Sequence, residues 1–136
     1  MREAADRFHR LVFDSGSSEL PPDAAPELKQ LAQAVRRDDR RILVIAAFAG
    51  TAKDDRAAMR RLSIERVLRV RAALMDAGLS SLRIDPRACG YRELEAPPDR
   101  VDIFVVEAPP SRPGPCGPRP ADEDGLDLDA PVTIPI

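Results

Sequence analysis

Arg66 is the residue whose position most clearly demands a chemical partner. Leu62, Val70 and Leu74 recur around it at helical spacing, so the guanidinium lies on or beside a buried apolar stripe. An unpaired charge there is too costly, so Arg66 must bind an anion or reach water. Two interpretations follow. The guanidinium either binds the carboxylate of a ligand or extends along its own stem to a surface carboxylate of the same chain.

The remaining reactive residues do not form a catalytic or metal-binding pattern. His9 is the only histidine, and no Ser-His-Asp or Cys-His arrangement is available to it. No glycine-rich phosphate loop follows a predicted strand. The two cysteines, Cys89 and Cys116, lack the spacing of a zinc site. The sequence therefore predicts a protein that is not an enzyme and that needs no metal or cofactor.

Composition narrows the class of protein further. A chain of 136 residues predicts one domain with room for a real core, and a formal net charge of −2 gives no bulk attraction to nucleic acid or membranes. Aromatic residues are scarce and do not alternate with basic ones, which argues against nucleic-acid binding. No run approaches the twenty apolar residues that cross a bilayer, and the first residues lack the apolar segment of a signal peptide.

Hydrophobic periodicity predicts the elements that would position Arg66. Alternating or continuous apolar runs indicate strands at 10–14, 42–48, 82–85 and 100–107. Helical spacing indicates a first helix around Leu28 to Val35 and a long helix over 54–77 that carries Arg66 and stops at Gly78. Pro86 confines the third strand to a sheet edge or a bulge. The order βαβαββ predicts an α/β fold, an α+β sandwich with helices packed on a small mixed sheet.

The two ends of the chain differ in composition from this core. Residues 1–9 are charged, and residues 108–136 form a proline-rich, acidic tail that we expect to be extended. In the tail, Val132-Thr133-Ile134 is a segment that a strand edge could accept. In an oxidising compartment, a disulfide between Cys89 and Cys116 would attach this tail to the domain. The sequence leaves that pairing open.

Leu62-Ser63, with Arg66, Val70 and Leu74 at their observed spacing, resembles the helix signature of the OmpA-like domain. That domain is the periplasmic peptidoglycan-binding module of OmpA, MotB and peptidoglycan-associated lipoproteins. The resemblance extends over residues 10–107, because a strand reaching Phe13 with a serine four residues later opens the family's domain in the same way. It implies the fold predicted above and a location in the periplasm or at the outer membrane.

The resemblance also implies a ligand, the diaminopimelate group of the peptidoglycan stem peptide. Its terminal carbon bears an ammonium and a carboxylate, so a site needs one acid and one planar cation. In the family the cation is the arginine that Arg66 matches, and Ser63 matches the serine before it. The family's acid follows the second strand, where this sequence has Thr51.

The resemblance is therefore incomplete at the position of the family's acid, where Thr51 stands. Asp54 or Asp55, three or four residues after Thr51, is the candidate substitute. Arg100 matches the second arginine of a pair at the start of the family's last strand, whereas Asp99 replaces the first. The predicted ligand-binding set carried by the resemblance is Arg66, Thr51, Asp54, Asp55, Ser63 and Arg100.

Two functions remain open on these residues. The first is a non-catalytic anchor that tethers its parent protein to the cell wall by binding peptidoglycan. The second is a fold that has lost this ligand and serves as a structural or protein-interaction module among envelope proteins. In the second case Arg66 pairs internally with Asp54, Asp55 or Asp99.

Overall fold

A computed structural model describes residues 8–93, 97–107 and 115–117 of the chain. Four strands and two long helices follow one another in the predicted order βαβαββ. They are β1 (Phe8–Val12), α1 (Ala24–Arg36), β2 (Arg41–Phe48), α2 (Arg56–Asp76), β3 (Ile84–Gly90) and β4 (Arg100–Glu107), with a short 3₁₀ helix (Ser81–Arg83) before β3.

The strands form one mixed sheet in the order β1-β4-β2-β3. β4 is antiparallel to both of its neighbours, whereas β2 and β3 run parallel. β3 is therefore an edge strand, as Pro86 predicted, because a residue without an N–H cannot donate to a second neighbour. The predicted α/β fold with helices on a small mixed sheet is confirmed.

The core lies between the helices and one face of the sheet. Leu43, Ile45 and Ala47 of β2 point into it and are fully buried, as are Val70 and Leu74 of α2. The intervening residues of β2 point to the opposite face, where a second apolar cluster joins Ala46 and Phe48 to both cysteines. Burial on both faces explains why β2 is apolar at every position from 42 to 48.

α2 begins and ends at residues that satisfy its terminal backbone groups. The Asp55 carboxylate accepts the Ala58 N–H at 2.8 Å, which caps the first turn. At the other end Gly78 has a φ of +102°, and the amides of Gly78 and Leu79 donate to the carbonyls of Met75 and Leu74. This pair of bonds is a Schellman motif, which favours glycine at the left-handed position.

Two predicted boundaries differ from the structure. β1 begins at Phe8 and ends at Val12, earlier than the predicted strand 10–14, because its register is set by pairing with β4. The third strand was predicted at 82–85, but Leu82 lies in the 3₁₀ helix that Ser80 caps and is 91% exposed. β3 instead begins at Ile84 and runs to Gly90, five residues beyond the predicted end.

Cys89 and Cys116 form a disulfide, the pairing that the sequence left open. Both side chains are buried on the sheet face opposite the helices, against Ala46 and Phe48. Residues 115–117 therefore contact the domain, and the rest of the predicted tail, like most of segment 1–9, lies outside the described residues. In the described part of the chain, no helix combines the length and apolarity needed to cross a bilayer.

Candidate functional site

The Arg66 guanidinium is fully buried and is surrounded by acceptors of the protein itself. Nε donates to the Ser17 carbonyl at 2.7 Å, and Nη2 donates to the Asp14 carbonyl at 2.9 Å. Nη1 donates both to the Phe48 carbonyl and to the Asp99 carboxylate, each at 2.9 Å. Four hydrogen bonds thus use most of the five N–H groups that a guanidinium offers.

Three segments supply these acceptors, and the sequence explains why they meet at Arg66. Asp14 and Ser17 lie in the turn after β1, where Gly16 has a positive φ and lets the backbone reverse. Phe48 is the last residue of β2, so its carbonyl lies at the end of the sheet ladder. The ring of Phe13 adds a cation–π contact, with its centroid 5.0 Å from the Arg66 Cζ.

Asp99 is the anion that neutralises Arg66. It directly precedes β4, and its backbone carbonyl accepts the Phe13 N–H at 2.9 Å, which fixes the loop against the end of β1. Its Oδ1 receives both the Arg66 bond and the Gly50 N–H at 3.0 Å. The Asp99 side chain is 14% exposed and that of Arg66 is 0% exposed, so solvent screens this pair weakly.

Asp54 and Asp55 are engaged in local structure and make no hydrogen bond to Arg66. Asp54 Oδ2 accepts the backbone N–H of Thr51 at 2.7 Å and its hydroxyl at 3.2 Å. Asp55 caps α2. All three residues of this loop are exposed. The structure therefore gives Arg66 the third of the acids that the sequence offered as an internal partner, and leaves the other two at the surface.

Met59 covers the loop at the end of β2. Gly50 has a φ of +82°, and a Cβ added there would lie 2.3 Å from the Met59 Sδ. The thioether therefore rests directly on the Gly50 backbone, beside the amide that donates to Asp99.

Ser63 has a structural contact in this protein. Its hydroxyl donates to the Arg60 carbonyl at 2.8 Å and accepts the Gly90 N–H at 2.9 Å. The side chain is fully buried, so both bonds replace water that the hydroxyl loses on folding. Ser63 thus holds the end of β3 against α2.

Arg100 lies across the sheet from α2. It pairs in register with Phe48, and its Cζ stands 4.2 Å from the centroid of that ring, on the face that carries the disulfide. Its Nε donates to Asp102 Oδ2 at 3.0 Å, and Asp102 also accepts the Arg10 Nε at 2.7 Å. The structure therefore separates Arg100 from Arg66, which the resemblance had grouped in one site.

The cavity between α1 and the sheet lies apart from the predicted ligand residues. Among the described residues, no cluster of three or more His, Cys, Asp or Glu side chains could hold a metal ion. A cavity of about 550 Å³ lies between α1 and the sheet and includes His9, but none of the six predicted ligand residues lines it. Its lining consists of His9, Glu27, Gln30, Leu31, Ala34, Val35, Asp38, Arg41 and Val105.

Sequence reasoning missed the backbone acceptors around Arg66. The carbonyls of Asp14 and Ser17 lie 52 and 49 residues away along the chain, and no residue type signals a carbonyl. A signal did exist for Asp99, because an acid there replaces an arginine of the resembled family. When no ligand carboxylate binds the arginine, a carboxylate of the chain itself can take that place, as Asp99 does here.

Comparisons with known proteins agree with this architecture. The peptidoglycan-associated lipoprotein of Burkholderia pseudomallei is similar, with a TM-score of 0.64 and 20% identity over 75% of this chain and 92% of that one. The OmpA-like domain of FopA1 from Francisella tularensis also gives 0.64, with 15% identity over 74% and 75% of the two chains. The periplasmic domain of Helicobacter pylori MotB gives 0.60, with 17% identity over 76% and 78%.

A comparison with curated proteins found no significant match. The sequence profile of the OmpA family, however, matches residues 12–99. That range contains both α1 and α2, the strands β2 and β3, and the whole Arg66 environment described above. The chain belongs to the OmpA family, whose domains are non-catalytic.

Proposed function

We propose that this domain is a structural or protein-interaction module of the bacterial cell envelope that does not bind diaminopimelate in the manner of its family. The observation that carries the proposal is the Arg66–Asp99 pair. In this pair a carboxylate of the chain itself binds the guanidinium that a ligand carboxylate would need. The envelope location is supported by the family and by the periplasmic MotB domain that the fold resembles.

A ligand carboxylate would have to displace Asp99 from Arg66. Breaking a buried ion pair costs about 3–5 kcal/mol. A new charge-assisted hydrogen bond returns about 1.5–3 kcal/mol. Arg66 is also fully buried, so the ligand would have to enter a space from which water is excluded. The exchange is therefore unfavourable unless further contacts with the ligand compensate for it.

The ligand's ammonium meets a second difficulty. Thr51, at the position of the family's acid, is neutral, and Asp54 accepts two bonds from that same residue. Asp55 caps α2, so moving it toward a ligand would cost the cap, about 1 kcal/mol. Both ends of the diaminopimelate group therefore lack a partner that is ready to receive them.

Wall tethering remains the second candidate function, and the family match over residues 12–99 favours it. Asp54 and Asp55 are exposed carboxylates on the loop where the family holds its acid. Under this alternative, Asp99 would move away when ligand binds, and Arg66 would exchange one carboxylate for another. The two candidates make opposite predictions for the intact domain.

Co-sedimentation with purified peptidoglycan sacculi separates them. We expect the intact chain to stay in the supernatant, and the double variant Thr51→Asp with Asp99→Arg, which restores the family's residues, to sediment and to be released by free diaminopimelate. A matched variant, Thr51→Asn with Asp99→Gln, introduces side chains of similar shape to the aspartate and arginine but without their charges. It should stay in the supernatant. Sedimentation of the intact chain, reversed by free diaminopimelate, would overturn the proposal and establish the tether.

A further inference from the structure

The outer face of α2 carries an apolar stripe that the fold does not cover. Ile64, Leu68 and Met75 are 41%, 49% and 39% exposed, and Ala72 lies between them. Their spacing of four, four and three residues places them on one side of the helix. Three of the five large apolar side chains that are exposed in the described part of the protein therefore share one helix face.

Positively charged residues outnumber negatively charged ones along the border of this stripe. Arg61 and Arg69 are exposed and Arg71 is half-buried, against the exposed acids Glu65 and Asp76. A recess of about 310 Å³ opens beside Leu68, between α2 and the turn after β1. Leu68, Ala72, Glu65, Arg69 and Ser18 line it. A surface of this composition fits an acidic segment with apolar side chains, and it disfavours a second copy of itself because like charges would meet.

The chain contains a segment of that composition. Residues 122–129 read Asp-Glu-Asp-Gly-Leu-Asp-Leu-Asp, which is five acids around the leucines 126 and 128. The disulfide holds residue 116 on β3, and Gly90 at the end of β3 lies against the Arg60 backbone of α2. Because Cys116 lies on the sheet face opposite α2, the connection must pass both the sheet edge and the helix, about 20 Å for a layer separation of about 10 Å and a helix diameter of about 10–12 Å. Residues 117–126 can extend about 30 Å, which exceeds that distance.

We propose that the acidic segment 122–129 docks on the outer face of α2, with Leu126 and Leu128 against Ile64 and Leu68 and the carboxylates near the arginines. Tethering by the disulfide keeps the segment at an effective concentration near the millimolar range, so a weak contact suffices. The inference does not depend on whether the domain binds peptidoglycan.

Methyl NMR of the full-length oxidised chain tests the docking. We expect the double variant Leu126→Ser with Leu128→Ser to shift the methyl signals of Ile64, Leu68 and Met75. The matched variant Val132→Ser with Ile134→Ser, which changes the same chemistry outside the acidic run, should leave them in place. About 1 M NaCl, where the Debye length is about 3 Å, should move the wild-type signals toward those of the first variant.

Charge variants of the helix complete the test. Arg61→Gln with Arg69→Gln should lower the docked-to-undocked ratio about fivefold, because each exposed ion pair contributes modestly. Arg37→Gln with Arg40→Gln removes the same charge from exposed positions at the end of α1 and should not change the ratio. Methyl signals unaffected by the leucine variant would overturn the proposal. Signals that move with protein concentration instead would assign the stripe to a second copy.

Discussion

Replacing Asp99 by Asn tests whether the Arg66 pair stabilises the domain. The amide keeps an oxygen that can accept the bonds from Arg66 and Gly50, so the substitution removes the charge and little else. At an effective dielectric constant of about 20, two charges about 4 Å apart attract by about 4 kcal/mol. The Asp99 side chain is 14% exposed and an amide bond to Arg66 remains, so we expect a loss of about 3 kcal/mol.

Urea unfolding followed by far-ultraviolet circular dichroism measures that loss. A matched control is Asp39→Asn, which removes the same charge at an exposed position of the α1–β2 turn and should change the free energy of unfolding by less than about 0.5 kcal/mol. The difference between the two variants should persist at about 1 M salt, because screening acts weakly on a buried pair.

A result near the control value would refute the reasoning. If Asp99→Asn cost less than about 1 kcal/mol, the Arg66 charge would have to be neutralised by solvent or by another acid. A further variant, Arg66→Met with Asp99→Leu, removes both charges but also leaves the Asp14, Ser17 and Phe48 carbonyls and the Gly50 N–H without these partners, so it should be more destabilising than Asp99→Asn. That ordering would show that the guanidinium stabilises the loops through its hydrogen bonds to carbonyls as well as through its charge.

Two further predictions concern the covalent and steric features of the fold. Reducing the disulfide, or changing Cys116 to Ser, should lower the free energy of unfolding by about 3–4 kcal/mol, because the loop between Cys89 and Cys116 spans 27 residues; a melting temperature that dithiothreitol does not change would contradict this. Gly50→Ala should cost about 2 kcal/mol through its positive φ and the clash with Met59. Met59→Ala in the same chain should recover part of that cost, and no recovery would mean that backbone strain accounts for all of it.

Much of the fold could be predicted because periodicity is a local property. The bounds of β4 at 100 and 107 follow from its apolar alternation, and Gly78 ends α2 one turn from where the stripe stops. β1 lies two residues earlier than predicted because its limits depend on pairing with β4. The sequence of one segment alone does not encode that pairing. Leu82 was misassigned because an apolar side chain in an alternating run can still be exposed in a capped turn.

The site was less predictable because its contacts are between segments distant in sequence. A buried position for Arg66 and the need for an anion followed from the helix pattern alone. The choice among Asp54, Asp55 and Asp99 did not, since it depends on loop geometry. Asp54 turns back to Thr51 and Asp55 turns to Ala58, so each satisfies the nearest backbone N–H before any distant charge.

Arg66 joins segments that the backbone alone would not hold together. Its bonds reach the turn after β1, the end of β2 and the loop before β4, and Asp99 extends the network to Gly50. A guanidinium with this many internal partners cannot be withdrawn for a ligand without loosening three loops at once. Ligand affinity at this site and the free energy of folding are therefore linked. A variant that opens the site to diaminopimelate should also be the variant that loses stability, unless the ligand is present to restore it.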